Sequence, residues 1–509
     1  GVYRNLSMEA DVHRKMANAH EMSGQYQDAL IHMESARELD SLENNTLEYI
    51  EDIRQEGLIL LYMGDYIGGI HLLEICLELN EGMDESLKNT NRQSIAETYL
   101  VLGRAQSALG KFREALANLQ ESSLLFEAAG SRQGEMEAGL HTGRLYIDLG
   151  NLDDAKLFLE ESRETAESLK MSTARHFAGQ AIIESTLGFY ENAMKNQENA
   201  LKQAREYGII GQEIWYTIGL GDIYRDIGDL NRARRYYKEA EILRDSISMR
   251  SLSMNASLDI RSGGLSEAYE YYTKQGSLVG EGITALRLGE LFLLEDQPDS
   301  ALLYFEESAS LFRNAGNQMG FAQSKMKIGE IYVNLDELEE AGVELDSSAA
   351  KSESYPEILW QVWFHRGRLF EKLERPENAR NAYEESISII EGIRGNLTID
   401  EFKSIYLDNK RQVYERLIEL LMKMDEPMEA FTYTERAKAR TFLDQIANKK
   451  IDFKESGNSN LIRQEQEKSF QIQNLHKLLQ KNELALSTTT ASRQGNTQKI
   501  WEGLRAAQE

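Results

Sequence analysis

The chain has 509 residues, enough for three or four compact domains, with four prolines, one cysteine and a formal net charge of -27. Eight basic and seven acidic residues follow position 450, so essentially all of the negative charge lies before it, a field that repels nucleic acid and anionic membrane. Cys76 stands alone, which excludes an internal disulfide and fits a reducing, cytoplasmic compartment, and no apolar run approaches the roughly eighteen residues of a membrane span.

No leader pattern follows Gly1, and the missing initiating Met reads as a piece of a longer protein. Helix formers dominate and alternating aromatic runs are absent, so the expected fold class is all-α. Along the chain one mark recurs: a helix break, then an alanine four or five residues later. It runs Gly24 to Ala29, Gly64 to Gly69, Gly110 to Ala115, Gly150 to Ala155, Gly188 to Ala193, Gly228 to Ala233 and Gly263 to Ala268. Degenerate copies end at Ala301, Ala341, Ala379 and Ala430. A repeat on this scale is a stacked solenoid of about eleven helix hairpins.

The unit around Ala115 shows the physics. A first helix, Asn91 to Leu109, ends at Gly110, since glycine accepts the left-handed conformation that closes a helix. A second helix from Phe112 to about Phe126 buries Ala115, Leu116, Leu119 and Ser122 at three- and four-residue spacing. Each first helix repeats a small residue (Ala17, Gly57, Gly103, Gly143, Ala181, Gly221, Ala256, Gly289, Gly329, Gly367) where the neighbouring helix should cross. Pro298, Pro376 and Pro427 fall in the first turn of a second helix and Pro356 at the start of a first, places where a missing amide does no harm.

The small residue, the aromatic three places on, the turn glycine and the alanine resemble the tetratricopeptide repeat (TPR), and Trp363 stands where that pattern has its tryptophan. The resemblance implies a right-handed superhelical solenoid over residues 1–448. Marks fall mostly 38 to 40 residues apart, similar to the long-helix subclass of G-protein-signalling modulators, kinesin light chains and peptide-sensing regulators. The eleventh unit departs from the rest, with one long first helix expected from Ile399 to Met424. Its run Phe402, Tyr406, Tyr414, Leu417, Ala430, Phe431, Glu435 to Arg440 and Asp444 resembles the last repeat before the caspase- or separase-like domain of bacterial TPR–CHAT proteases. That implies a linker at 449–460, an amphipathic helical hairpin at 461–509 and a downstream protease domain in the parent chain.

No phosphate loop, HExxH, EF-hand or paired CxxC occurs, so no catalytic residue, metal or cofactor is expected. The eight histidines look scattered. Cys76 takes the place of Ala36, Ser122 and Ser162 in sister units and reads as a small core residue. The functional surface left is a concave groove lined by first helices, where Arg14, Asn18, Arg54, Arg104, Arg144, Asp222, Arg225, Glu290, Glu330, Arg368 and Glu371 should point. Its arginines could hold an acidic peptide through bidentate pairs or simply pair with neighbouring glutamates. Arg14 and Asn18 match the first two places of the clamp by which some TPR proteins grip chaperone tails. Gln55, Glu97 and Val101 break the other three. The expectation is a protein- or peptide-binding scaffold, the sensor part of a TPR–CHAT protease. The alternative is a freestanding adaptor or peptide-sensing regulator.

Overall fold

A computed structural model describes residues 6–22, 25–246 and 264–436, all within a compact unit that runs from Gly1 to Thr441. The linker and hairpin expected at 449–509 lie outside the described residues, as does Ala256. The described residues are helical with no strand. Hairpins 1 to 6 are Leu6–Met22 with Tyr26–Glu43, Thr46–Met63 with Tyr66–Glu81, Arg92–Ala108 with Phe112–Ala129, Arg132–Leu149 with Leu152–Ser168, Ala174–Thr186 with Tyr190–Tyr207, and Ile210–Ile227 with Leu230–Ser246. Hairpin 7 is described in its second helix, Leu265–Gln275. Hairpins 8 to 10 are Leu278–Leu294 with Pro298–Ala315, Gln318–Asn334 with Leu338–Ala349, and Pro356–Lys372 with Pro376–Gly395. All four prolines thus open their helices, Pro427 at the start of the helical residues 427–436. The eleventh first helix is not one long element: it breaks at Asn409 and Lys410 into Asp400–Asp408 and Arg411–Lys423, followed by helical residues 427–436.

The mark seen in the sequence has a structural cause. Ala29, Ala115, Ala155, Ala193, Ala301, Ala341 and Ala379 are fully buried, and the side chain four residues later lies against the glycine of the first helix. A Cβ on Gly103 would fall 2.8 Å from Leu119 and 3.1 Å from the Ala115 carbonyl, and one on Gly143 would fall 2.9 Å from Leu159. Seven residues after the alanine, a serine hydroxyl donates back to a first-helix carbonyl. Ser122 reaches Ala96 at 2.8 Å, Ser308 reaches Gly282 at 2.8 Å and Ser348 reaches Ala322 at 2.7 Å. These buried hydroxyls are satisfied while they tie the two helices of a hairpin together. In hairpins 8 to 11 the turn between helices uses Asp296, Asp336, Glu374 and Asp425 in the left-handed conformation. These are the degenerate copies, and each forfeits about 1–2 kcal/mol relative to glycine.

Successive coils of the solenoid touch. Tyr271 Oη donates to the Gly64 carbonyl at 3.1 Å, and the Tyr66 amide donates to Gln275 Oε1 at 3.0 Å. Ser277 Oγ donates to the Ala108 carbonyl at 3.1 Å, and the Leu278 amide to the Leu109 carbonyl at 2.9 Å. Further along, a Cβ on Gly150 would meet Tyr355 Oη, the tip of a side chain from the next coil packed against this left-handed turn. Glu191 accepts from the Ile399 amide at 2.7 Å, and Arg232 pairs with Glu401 at 2.8 Å. The turns inside hairpins 2 to 6 therefore rest on segments about five hairpins further on. One apolar core, from Tyr190 and Ile227 to Tyr383, Tyr406 and Leu417, spans both coils.

Candidate functional site: the interior face of the first helices

First helices pack on one another along the array, and the residues expected in the groove lie on or beside their shared face. Most of the charged ones are neutralised by neighbours. Arg14 reaches Asp52 and Asp11 at 2.7 Å each, Glu48 at 3.5 Å, and also Asp40. Asp40 and Asp52 are buried, and burial together with the neighbouring carboxylate raises the Asp52 pKa against the pull of Arg14. Arg54 is buried, its Nε on Glu51 at 2.9 Å and its head 3.3 Å from Glu97. Glu97, which breaks the chaperone clamp in the sequence, is thus a partner of Arg54.

The later hairpins repeat the pattern. Arg225 pairs with Asp222 at 2.9 Å and Asp226 at 2.8 Å, and Tyr237 Oη adds a 2.8 Å bond to Asp222. Burial nonetheless raises the Asp226 pKa. Glu290 holds Arg287 at 2.6 Å, and Glu330 holds Lys327 at 3.0 Å with His365 at 3.8 Å. Arg368 donates to Asn334 at 2.6 Å. Glu371 accepts from Tyr383 Oη and lies 3.5 Å from Lys423. At Arg14, Arg54, Asp222, Arg225, Glu290, Glu330 and Glu371 charge pairs within the protein, while Arg368 is held by a side-chain amide.

Arg104 and Arg144 differ. They occupy equivalent positions on adjacent first helices, each directly after the crossing glycine, and both are exposed with no carboxylate in ion-pair range among the described residues. Desolvation, with Arg175 as a like charge, lowers the Arg104 pKa. His141, one helical turn before Arg144, is held well below its ordinary value by burial, then by Arg104, Arg175 and Arg144. Asp148, also exposed, is pushed up to about 6 by desolvation against the pull of Arg144. Adjacent first helices thus carry two exposed cations with no carboxylate in ion-pair range among the described residues, each open to an anion brought there. Asn18 is exposed on the first hairpin. His141, Arg175 and Asp148 were not singled out from the sequence, although His141 precedes Arg144 by one helical turn.

The histidines are not all scattered. His13 and His32 face each other at 3.0 Å between Nδ1 atoms, and the His20 ring stacks on His32 with centroids 5.3 Å apart. His13 and His20 are seven residues apart and share a helix face, a spacing visible in the sequence. Among the described residues no group of three His, Cys, Asp or Glu side chains is arranged to hold a metal. Cys76 is fully buried with its Sγ 3.7 Å from the Ile50 carbonyl, the place a serine takes in other hairpins, and burial pushes its thiol up to about 11.

Residues 213–241 and 361–392 match the tetratricopeptide repeat. These segments fall in hairpins 6 and 10, so TPR units are present in the array. No curated protein matches the chain by sequence. Among solved structures, the apo quorum sensor NprR from B. thuringiensis is 15% identical, with 79% of this chain and 99% of that one covered at a TM-score of 0.36. Human IFIT1, a dimer with m7Gppp-AAAA, is 16% identical over 79% and 94% of the two chains at 0.38. A Rap protein complexed with competence and sporulation factor is 14% identical over 75% and 99% at 0.35. No described helix is long and apolar enough to cross a membrane.

Proposed function

We propose that this chain is a non-catalytic scaffold that binds a protein or peptide along the interior face of its first helices. The observation that carries this reading is the couple Arg104 and Arg144, without a carboxylate in ion-pair range, in an array where Arg14, Arg54 and Arg225 are matched to carboxylates. Like charges set on adjacent helices without a carboxylate partner point to an anionic visitor, and acidic side chains meet guanidinium groups with two parallel hydrogen bonds. Asn18 and Arg368 extend the polar lining toward the two ends of the array.

The array serves as the sensor part of a cytoplasmic bacterial TPR–CHAT protease, supported by the run from Phe402 through Tyr406, Tyr414, Leu417, Ala430 and Phe431 to Glu435. In this reading a bound partner changes the pose of the last hairpin, which leads toward a protease domain in the parent chain. The gene beyond codon 509 tests it: a His and a Cys among short apolar strands support it, and a stop codon favours a freestanding adaptor.

The binding surface is tested with a fluorescein-labelled peptide of alternating Asp and Glu. Wild-type protein should bind it in a salt-dependent way, and Arg104→Glu with Arg144→Glu should abolish binding while leaving the circular dichroism spectrum intact. Unchanged affinity in that variant would move the site elsewhere.

A further inference from the structure

Where hairpins 2 and 3 meet hairpin 7, the two coils line a half-open cavity of about 280 Å³. Its walls are aromatic: Tyr66 from the first coil, Tyr271 and Tyr272 from the second, and Trp215 from hairpin 6. Gln275 and Ser277 are at its edge, but both are engaged in the bonds that join the coils, Gln275 with the Tyr66 amide and Ser277 with the Ala108 carbonyl. An apolar cavity of roughly 150 Å³ already accepts benzene, so this one has room for an aromatic side chain.

The unpaired arginine lies next to it. Ala108 borders the cavity and is one helical turn beyond Arg104 on the same helix face. A single site therefore presents a cation, then an aromatic box one turn away, with Arg144 one hairpin further along.

We infer that the ligand of the interior face is an acidic peptide carrying one aromatic side chain, with its carboxylates on Arg104 and Arg144 and its ring in the cavity between the coils. This rests on the scaffold reading above. It also gives the ligand a mechanical effect. The box is complete only while the coils touch, because Tyr66 and Ala108 belong to one and Tyr271, Tyr272 and Gln275 to the next. A ligand that requires the closed seam stabilises it by the difference in affinity between closed and open forms. Binding therefore fastens the solenoid.

Two blocked pentapeptides test the proposal on the full chain: Asp-Glu-Phe-Glu-Asp and the same peptide with Ala for Phe, each titrated by calorimetry. The Phe peptide should bind at least about tenfold more tightly, in line with burial of one aromatic side chain. Ala108→Leu adds bulk to the cavity from an exposed position, and Trp215→Ala removes a wall. Each should bring the ratio below about threefold without weakening the Ala peptide, and Arg104→Ala should weaken both peptides. Hydrogen exchange should show added protection at 64–66 and 271–278 with the Phe peptide alone. Equal binding of the two peptides by wild type overturns the aromatic box while leaving the acidic groove standing. A Phe preference that survives both cavity variants also overturns it. If neither peptide binds, the groove reading falls as well.

Discussion

Glu357 gathers bonds from both coils on one carboxylate. Its Oε1 accepts from Tyr190 Oη at 2.6 Å and from Tyr406 Oη at 2.7 Å. Its Oε2 accepts from Trp360 Nε1 at 2.8 Å and lies 3.8 Å from Lys410 Nζ. Tyr190→Phe keeps a ring that is 1% exposed and removes one donor. A hydrogen bond to a charged group contributes about 1.5–3 kcal/mol. Tyr190 and Glu357 are 167 residues apart in the chain, so the loss falls on the seam between coils and not on either hairpin. At 1.4 kcal/mol per factor of ten, opening of the seam should become about 10- to 150-fold more favourable. Melting is a blunt readout, since an array need not unfold in one step. Hydrogen exchange resolves the effect: amides at 188–193 and 398–410 should lose protection by that factor, while 112–129 keeps its own. A change below about threefold at both seam segments would refute the idea that this carboxylate holds the coils together. Equal loss at 112–129 would refute its locality.

Gly150→Ala and Gly130→Ala both place a Cβ at a left-handed residue, but the first meets Tyr355 and the second meets open space. Gly130→Ala should cost about 1–2 kcal/mol in urea unfolding and Gly150→Ala distinctly more; equal costs would mean that Tyr355 yields freely. Burial lowers His365 and His176 from 6.5 to about 4, with Arg368 and Lys327 assisting at His365 and Arg175 at His176. Depressed folded-state values mean that the stability is whole above 6.5 and is lost as pH falls through 4, by up to about 1.4 kcal/mol per pH unit for each group. His365→Asn should flatten the fall of the urea midpoint between pH 6.5 and 4, and an unchanged slope would contradict a neutral His365. Cys76 should resist a thiol reagent at pH 8 until urea unfolds hairpin 2. Cys76→Ser should stay within about 1 kcal/mol of wild type, because the Ile50 carbonyl is in place to accept the hydroxyl; rapid labelling of native protein would contradict the burial.

The hairpins were legible because each depends on residues close in sequence: an alanine that must be small, a glycine facing it, and a turn that needs a left-handed residue. The degenerate turns at Asp296 and Glu374 were still found, since the alanine and the proline kept the register. The break at Asn409 and Lys410 was not, for nothing in the local pattern separates it from a continuous helix. Lys410 there is buried, its Nζ 5.4 Å from the Trp360 ring and 3.8 Å from Glu357, contacts made by residues about fifty positions back in the chain. The site was legible only as a lining. Whether an interior arginine is free depends on carboxylates supplied by a neighbouring hairpin, as Glu97 is for Arg54, and repeat spacing does not say which will arrive. The seam depends on how many hairpins complete a coil. That follows from small rotations at every interface, which no single motif records.

The contacts between coils also change what kind of repeat protein this is. A solenoid whose units touch only their neighbours can gain or lose a unit anywhere with a local penalty. Here the turn at Gly64 is matched to Tyr271, that at Gly150 to Tyr355 and that at Gly228 to Asn409, so the two coils work like the scales of a vernier. Deleting one hairpin between them would slide every match by a whole unit at once. The number of hairpins per coil is therefore fixed by the pairing itself, and variation in length is confined to the ends of the array.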